Sequence, residues 1–213
     1  MAQATDAPVM EVRGLDFSWP GIALFRKLDL RLPPGVSVVC GEESSGKTTL
    51  LRLLSGDLQA NGARLALSNS TPEATATQLH SKVFRTEPRS DALDAISATT
   101  WFESLPSRYP TFDVALAHGL AHGFALEPHI DKPMYMLSAG SKRKVWLCAA
   151  FAAGTPLTLI DEPFAALDTA SIRFLRGLLE EASSHHDRAW VLADHTPPEG
   201  LVLRTQLVLS TPD

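Results

Sequence analysis

The sequence predicts an α/β fold in which one mostly helical segment interrupts a core of alternating strands and helices. Three short apolar runs are typical of buried strands, at 36–40, 157–160 and 189–193. Helical periodicity follows the first two runs, and between about 89 and 153 helical patterns replace the strands. A chain of 213 residues is long enough for one domain with a subdomain. We therefore predict a single domain over 1–213, with its core in 1–88 and 154–213 and a helical subdomain at about 89–153.

Local patterns define the elements of the first half of the chain. Alternating apolar and polar residues predict strands, leucines at helical spacing predict a helix, and a polar stretch predicts a loop or a short helix. In chain order these are strands 9–17, 28–32 and 36–40, helix 47–54, strand 64–67, the polar stretch 68–78 and strand 82–85.

Helical periodicity dominates the second half until the apolar runs return. Ser138 is a candidate N-cap, and a break at 106–110 contains two prolines. In chain order we predict helices 91–105, 112–126 and 139–153, strand 157–160, helix 169–183, and strands 189–193 and 206–209.

The composition excludes several functional classes. The net charge is −5 and no basic stripe runs along the chain, so nucleic acid is not an expected partner. The longest apolar stretch, 145–160, is interrupted by Gly154 and Pro156 and is too short to span a bilayer. Cys40 and Cys148 lie in apolar runs; one disulfide is arithmetically possible, but we predict buried reduced thiols.

A glycine-rich loop separates the strand at 36–40 from the helix at 47–54, the order that phosphate binding requires. It matches the Walker A pattern G-x-x-x-x-G-K-[ST]. Its residues are Gly41, Glu42, Glu43, Ser44, Ser45, Gly46, Lys47 and Thr48, and Thr49 follows. We predict that the loop amides bind nucleotide phosphates, with Lys47 on the β- and γ-phosphates and Thr48 on Mg²⁺. Glu42 and Glu43 would repel a polyanion, so we expect their side chains to point to solvent.

Two acidic residues end the apolar run at 157–160. Asp161 is expected beside the phosphate loop, where it would hold the Mg²⁺ shell. Glu162 then lies near the γ-phosphate and can orient or deprotonate the attacking water. An Asp-Glu pair after an apolar run is a weak signal alone, and the Walker A loop is what makes the functional interpretation specific.

Further motifs follow in order along nearly the whole chain. Together they resemble the ATP-binding cassette (ABC) ATPases: an A-loop at 17–21, a signature Leu-Ser-Ala-Gly-Ser at 137–141, a D-loop at 165–168 and a switch histidine, His195. The resemblance implies a P-loop NTPase fold, with a RecA-like core, an N-terminal antiparallel β part and a helical signature subdomain.

The resemblance also implies roles within one subunit. Trp19 is expected to stack on the adenine of ATP, with Phe17 as its rival. His195 is expected to contact the γ-phosphate and to complete a catalytic set with Lys47 and Glu162.

Other matching residues are implied to act across a dimer interface. Ser138 and Gly140 are expected to donate to ATP held by the other subunit, with Ala139 and Asp168 at the same interface. Ser138 is expected to cap its own helix as well. The basic run 142–144 is interpreted as a solvated helix face.

The chain departs from the family pattern at several positions. Glu87 stands where the family has its Q-loop glutamine, and Gln78 is the alternative. A glutamate accepts hydrogen bonds but cannot donate, so Glu87 is expected to ligate Mg²⁺ and to affect hydrolysis or coupling. The signature ends in Ser141 rather than glutamine, and Ser44 replaces a common glycine.

The implied function is that of a transporter motor. Two such subunits, identical or different, would bind ATP and Mg²⁺ between them and act on a separate membrane permease, at the cytoplasmic face of the cell membrane. The alternative is a nucleotide-gated binding module with little turnover. A soluble ATPase acting on DNA or ribosomes fits less well, because such relatives carry coiled coils or two cassettes in one chain. The short length and the Leu-Ser-Ala-Gly form resemble the haem-exporter ATPases of cytochrome c maturation.

Overall fold

A computed structural model describes residues 7–59, 64–67 and 76–211. The strands are β1 (Met10–Trp19), β2 (Ile22–Leu32), β3 (Gly35–Gly41), β4 (Arg64–Leu67), β5 (Val83–Arg85), β6 (Leu157–Asp161), β7 (Ala189–Asp194) and β8 (Leu203–Leu209). The helices are α1 (Lys47–Leu54), α2 (Ala76–Lys82), α3 (Ala98–Ser104), α4 (Val114–Gly123), α5 (Ala139–Ala152) and α6 (Thr169–Ser183), with short 3₁₀ turns at Leu105–Ser107 and Met134–Met136.

The centre of the fold is a parallel sheet of five strands in the order β5-β6-β7-β3-β8. Parallel sheets are covered on both faces, and β3 is accordingly buried from Gly35 to Cys40. Its side chains alternate between two apolar clusters, with Val38 in one and Val39 in the other. The predicted α/β core is therefore confirmed.

A second, antiparallel sheet has the order β2-β1-β4. The strand predicted at 28–32 is longer than expected and begins at Ile22, because a tight turn at Pro20 and Gly21 pairs Ile22 directly with Trp19. Gly21 has φ of +82°, a conformation that glycine adopts at no steric cost. The hairpin therefore extends β2 and brings Trp19 to the end of β1.

The helical part differs from the prediction at its start. The helix expected from residue 91 begins at Ala98, because Ser97 accepts a hydrogen bond from the Thr100 amide and caps the helix there. The backbone before it is engaged elsewhere: the carbonyls of Asp94 and Ile96 accept from the amides of Tyr135 and Met134.

Helix α5 joins the helical part to the sheet. Its Trp146 ring lies 4.5 Å from that of Trp101 and 6.3 Å from that of Phe84 on β5. Cys148 on the same helix and Cys40 on β3 are both buried free thiols, as predicted. Burial raises the pKa of both thiols. Among the described helices, none is long and apolar enough to cross a membrane.

Candidate nucleotide-binding site

The loop between β3 and α1 is shaped by backbone conformations that favour glycine. Gly46 precedes α1 with φ of +97°. A Cβ atom at Gly41 would lie 2.5 Å from Ser45 Oγ and 2.7 Å from the Leu209 carbonyl oxygen, so no larger residue fits. Among the described residues no side chain caps α1, which leaves its first amides available to an anion.

Lys47 is held inside this loop. Its side chain is buried, and Nζ donates to the carbonyl oxygens of Gly41 at 2.6 Å and Glu42 at 2.8 Å. The hydroxyl of Ser45 is buried without a hydrogen-bond partner among the described residues, so the loop interior offers a polar group that a ligand can satisfy. Glu42 and Glu43 are both exposed, but Glu43 also lines the cavity beside this loop, so only Glu42 lies outside it as expected.

The end of β6 lies beside the start of α1. Thr48 Oγ1 donates to Asp161 Oδ2 at 2.6 Å. Burial raises the pKa of Asp161, as does the neighbouring Glu162, and the Thr48 hydrogen bond and the charges of Arg89 and Arg143 oppose the rise. A hydroxyl and a carboxylate in contact are ligands that suit Mg²⁺, which takes one or two protein carboxylates and completes its shell with waters and phosphates.

Glu162 has an unusual backbone conformation for a residue with a side chain. Its φ is +47°, a conformation that costs on the order of 1 kcal/mol outside glycine. The conformation is fixed from both sides: the Glu162 amide donates to the Ala193 carbonyl at 2.8 Å, and its own carbonyl accepts from Arg143 at 2.5 Å. The carboxylate forms an ion pair with Arg89 at 2.5 Å.

Most of the predicted residues of one subunit meet around a cavity of about 630 Å³, whose lining does not include Gly41, Glu42 or Ser45. Its lining residues are Trp19, Ile22, Leu24, Glu43, Ser44, Gly46, Lys47, Thr48, Thr49, Arg89, Asp161, Glu162, His195 and Thr211. Trp19 is 41% exposed and meets the ring of Phe17 edge to face at 5.1 Å. Phe17 is absent from the described lining and packs against the core, so Trp19 is the ring that faces the cavity.

Glu87 lies in a smaller adjoining cavity of about 310 Å³, whose lining includes Thr48 and Asp161. Its carboxylate pairs with Arg85, which also binds Asp57 at 2.7 Å. The side chain of Gln78, the alternative, lies outside the described residues.

The predicted interface residues are not brought to this cavity. Ser138 and Ala139 are exposed at the start of α5, and Ser138 Oγ accepts from the Ser141 amide at 3.1 Å. A Cβ atom at Gly140 would lie 2.4 Å from the Ala166 carbonyl oxygen, so the signature packs directly on the D-loop.

Asp168, at the end of the D-loop, caps α6 by accepting from the Ser171 amide at 2.8 Å. The hydrogen bond from Lys144 and those from Ser171 hold the pKa of Asp168 well below its ordinary range. The signature and the D-loop thus form one exposed surface apart from the cavity.

The interpretation of 142–144 as a solvated face is wrong. The Arg143 side chain is only 8% exposed and donates to the carbonyls of Asp161 at 3.0 Å and Glu162. Lys144 Nζ binds Asp168 at 2.7 Å. Sequence reasoning also missed Arg89, whose one available signal was its position two residues after Glu87.

The loop, the enclosed lysine and the Thr48–Asp161 pair define a P-loop nucleotide-binding protein. The family model for ABC transporters matches residues 25–165. This chain therefore belongs to the ABC transporter family, among its ATP-binding subunits.

Two relatives illustrate the range of the family. The chain is 34% identical, over 181 residues and 81% of both chains, to the cytochrome c biogenesis ATP-binding export protein CcmA of Pseudomonas savastanoi pv. phaseolicola. It is 31% identical to the nickel import ATP-binding protein NikO of Rhodobacter capsulatus, over 81% of this chain and 73% of that protein. The expected resemblance to the cytochrome c maturation ATPases is confirmed.

A solved structure supports the fold. The dimeric, post-hydrolysis state of an ATP-binding cassette bound to ADP and Pi has a TM-score of 0.74 and 18% identity, with 88% of each chain covered.

Proposed function

We propose that this chain binds and hydrolyses ATP as one of two subunits in a dimer, and that it powers transport through a separate membrane permease. The observation that carries the proposal is the cavity in which Lys47, the Thr48–Asp161 pair, Glu162 and His195 meet.

Nucleotide binding uses the loop and the cavity rim. The uncapped amides of α1 donate to phosphate oxygens, and Lys47 exchanges its two loop carbonyls for the β- and γ-phosphates. Trp19, which lines the same cavity, stacks on the adenine.

The site offers the oxygen ligands that Mg²⁺ prefers. Thr48 and Asp161 would hold it, with Glu87 as a further candidate ligand from the adjoining cavity. When bound, Mg²⁺ supplies charge neutralisation on the phosphate oxygens.

Hydrolysis requires a base and a way to hold the attacking water. Glu162 orients the water and accepts its proton, and its fixed backbone aims the carboxylate into the cavity. His195 contacts the γ-phosphate and helps to hold the water. Because Lys47, Glu162 and His195 belong to one chain, each subunit provides one set of catalytic groups.

The second subunit supplies the signature. Ser138, Ala139 and Gly140 lie on an exposed surface apart from their own cavity, so they are available to a nucleotide held by another copy or by a related subunit. Asp168 lies on the same surface and completes the interface. The dimeric cassette that shares this fold supports the arrangement.

Transport through a permease is supported by the relatives, which are named as import or export ATP-binding proteins. On this proposal the chain lies at the cytoplasmic face of the cell membrane, bound to its permease.

The test is phosphate release from the purified chain with Mg-ATP across a range of protein concentrations, beside Glu162→Gln. Specific activity should rise with concentration, because two chains form each site, and it should vanish in the variant. Turnover that stays constant per subunit as the chain is diluted would contradict the shared site. ATP binding without turnover at any concentration, with or without a permease, would favour a nucleotide-gated binding module.

A further inference from the structure

A proline-containing turn carries an arginine from the end of β5 to the edge of the nucleotide cavity. The Ser90 amide donates to the Glu87 carbonyl at 2.9 Å and closes the turn. Pro88 occupies the second position, where its fixed φ is favoured, and Arg89 the third. The turn therefore fixes the backbone of Arg89 at the edge of the cavity.

The Arg89 guanidinium makes one contact among the described residues, the ion pair with Glu162 Oε2 at 2.5 Å. The same oxygen lies 3.8 Å from Arg143, which is buried and bound to two backbone carbonyls. Arg89 differs, because its side chain is 80% exposed. Ion pairs with one end in solvent are screened and weakened, so Arg89 leaves Glu162 at a lower cost than Arg143, which is held in place by its carbonyl acceptors.

The position of Arg89 gives it a second possible partner. It lines the cavity with Lys47, Thr48 and His195, and it also lines the adjoining cavity. Both cavities are also lined by Asp161, the residue paired with Thr48. The guanidinium thus borders the cavity that holds Lys47 and Thr48 while it is paired with the catalytic carboxylate.

We propose that Arg89 is a triphosphate sensor that exchanges its ion pair with Glu162 for the γ-phosphate of ATP. This inference rests on the proposed function and deepens it. A guanidinium binds phosphate through two parallel hydrogen bonds, which a single carboxylate oxygen does not match. ADP ends one phosphate earlier and offers Arg89 no such partner, so the chain distinguishes the two nucleotides through this residue.

The exchange has a consequence for Glu162. While Arg89 is bound, its charge stabilises the ionised carboxylate and makes Glu162 a weaker base toward water. Transfer of the guanidinium to the γ-phosphate removes this charge from Glu162 only when a nucleotide with a third phosphate is present. Arg89 therefore links the readiness of the base to the presence of substrate.

The test compares the binding of the non-hydrolysable analogue AMP-PNP with that of ADP, both with Mg²⁺, by titration calorimetry on the purified chain. Arg89→Ala should weaken AMP-PNP binding about tenfold and change ADP binding less than about twofold. Arg89→Lys should retain part of the effect, because lysine keeps the charge without the planar fork. Arg13→Ala is the matched control: Arg13 is 69% exposed and pairs with Glu11 at 3.0 Å.

A second measurement follows the side chain itself. In chain labelled with ¹⁵N-arginine, the Nε resonance of Arg89, identified by its loss in Arg89→Lys, should shift with AMP-PNP and stay in place with ADP. Equal weakening of both nucleotides by Arg89→Ala, or an unchanged resonance with AMP-PNP, would overturn the sensor.

The outcomes separate this inference from the proposed function. If Lys47→Ala binds both nucleotides as well as the unmodified chain does, the proposed nucleotide site fails and the sensor fails with it. If Lys47→Ala abolishes binding and Arg89→Ala has no selective effect, only the sensor fails.

Discussion

The two helices that the proposed function aims at phosphate begin in opposite ways. Helix α1 starts after Gly46 with no side-chain cap, and Lys47 folds back onto loop carbonyls. Helix α5 starts after Ser138, whose hydroxyl already accepts from the Ser141 amide. The first helix therefore has free donors for a ligand in its own chain, whereas the second already has one amide bound to its own cap and lies apart from the cavity of its own chain.

The carboxylates beside the two helices also differ, because their pKa values are shifted in opposite directions. Burial raises the pKa of Asp161 near α1, while the hydrogen bonds from Lys144 and Ser171 lower that of Asp168 beside α5. The ionised form of Asp161 therefore destabilises the folded chain when no ligand is bound. The ionised form of Asp168 stabilises it.

The largest expected effect comes from Lys47→Ala. Two charge-assisted hydrogen bonds to phosphate are lost, which corresponds to roughly a hundredfold weaker ATP binding. Ser138→Ala, the matched change at the other helix, should leave ATP binding by the dilute chain unchanged. Calorimetry at low protein concentration measures the ATP affinity of both variants. A comparable loss of affinity in the two would contradict the proposal that only α1 binds the nucleotide of its own chain.

Gly140→Ala tests the contact between the signature and the D-loop. An added Cβ would meet the Ala166 carbonyl at 2.4 Å, so the two segments must separate. We expect a loss of about 1–3 kcal/mol of unfolding free energy and a large loss of concentration-dependent turnover. Gly119→Ala is the control, since a Cβ there meets nothing within 4 Å and α4 should gain about 0.5–1 kcal/mol. Full turnover in Gly140→Ala would contradict the packed interface.

Ser138→Ala should cost about 1 kcal/mol of unfolding free energy, because the N-cap of α5 is lost. Ser138→Asn restores a capping acceptor and should recover this stability. Denaturant unfolding of the three proteins measures the difference, and equal midpoints would show that the cap contributes nothing.

The smallest effects concern the pH dependence of the two carboxylates. The pKa of Asp161 is raised in the folded chain, so its ionisation destabilises the fold as pH rises above the ordinary range near about 3.9. Asp161→Asn should therefore raise Tm at neutral pH, although it removes a Mg²⁺ ligand. The gain should disappear as the pH falls below the unfolded pKa.

Asp168→Asn should act in the opposite sense. Its lowered pKa contributes stability that is present above the unfolded pKa and is lost as pH falls through the folded value. The variant should melt earlier than the unmodified chain at neutral pH, and the difference should start to narrow as the pH falls below the unfolded pKa. Thermal melts from pH 7 to about pH 3 test both carboxylates, and shifts of the same sign would contradict the comparison.

Structural features that depend on short contiguous segments, such as the starts of helices, could be predicted from the sequence. Helix α1 begins at Lys47 and α6 begins at Thr169, as expected, because a phosphate loop and an Asp168 cap fix their starts. Side-chain contacts between segments that are distant in the chain could not be predicted from the sequence. Three adjacent charges indicated a solvated face, yet Arg143 finds its acceptors at the end of a strand 18 residues away. Glu162 and Arg89 likewise meet only because β5 and β6 are neighbours in the sheet.

The hairpin turn places Trp19 at the cavity, so the intrinsic tryptophan fluorescence of this chain can report on nucleotide binding. Of the four tryptophans, Trp101, Trp146 and Trp190 are buried, whereas Trp19 is 41% exposed. An indole in contact with water emits at longer wavelength than one in an apolar core, so the red edge of the fluorescence spectrum belongs to Trp19. Quenching confined to that edge would report adenine at this single site, without any label.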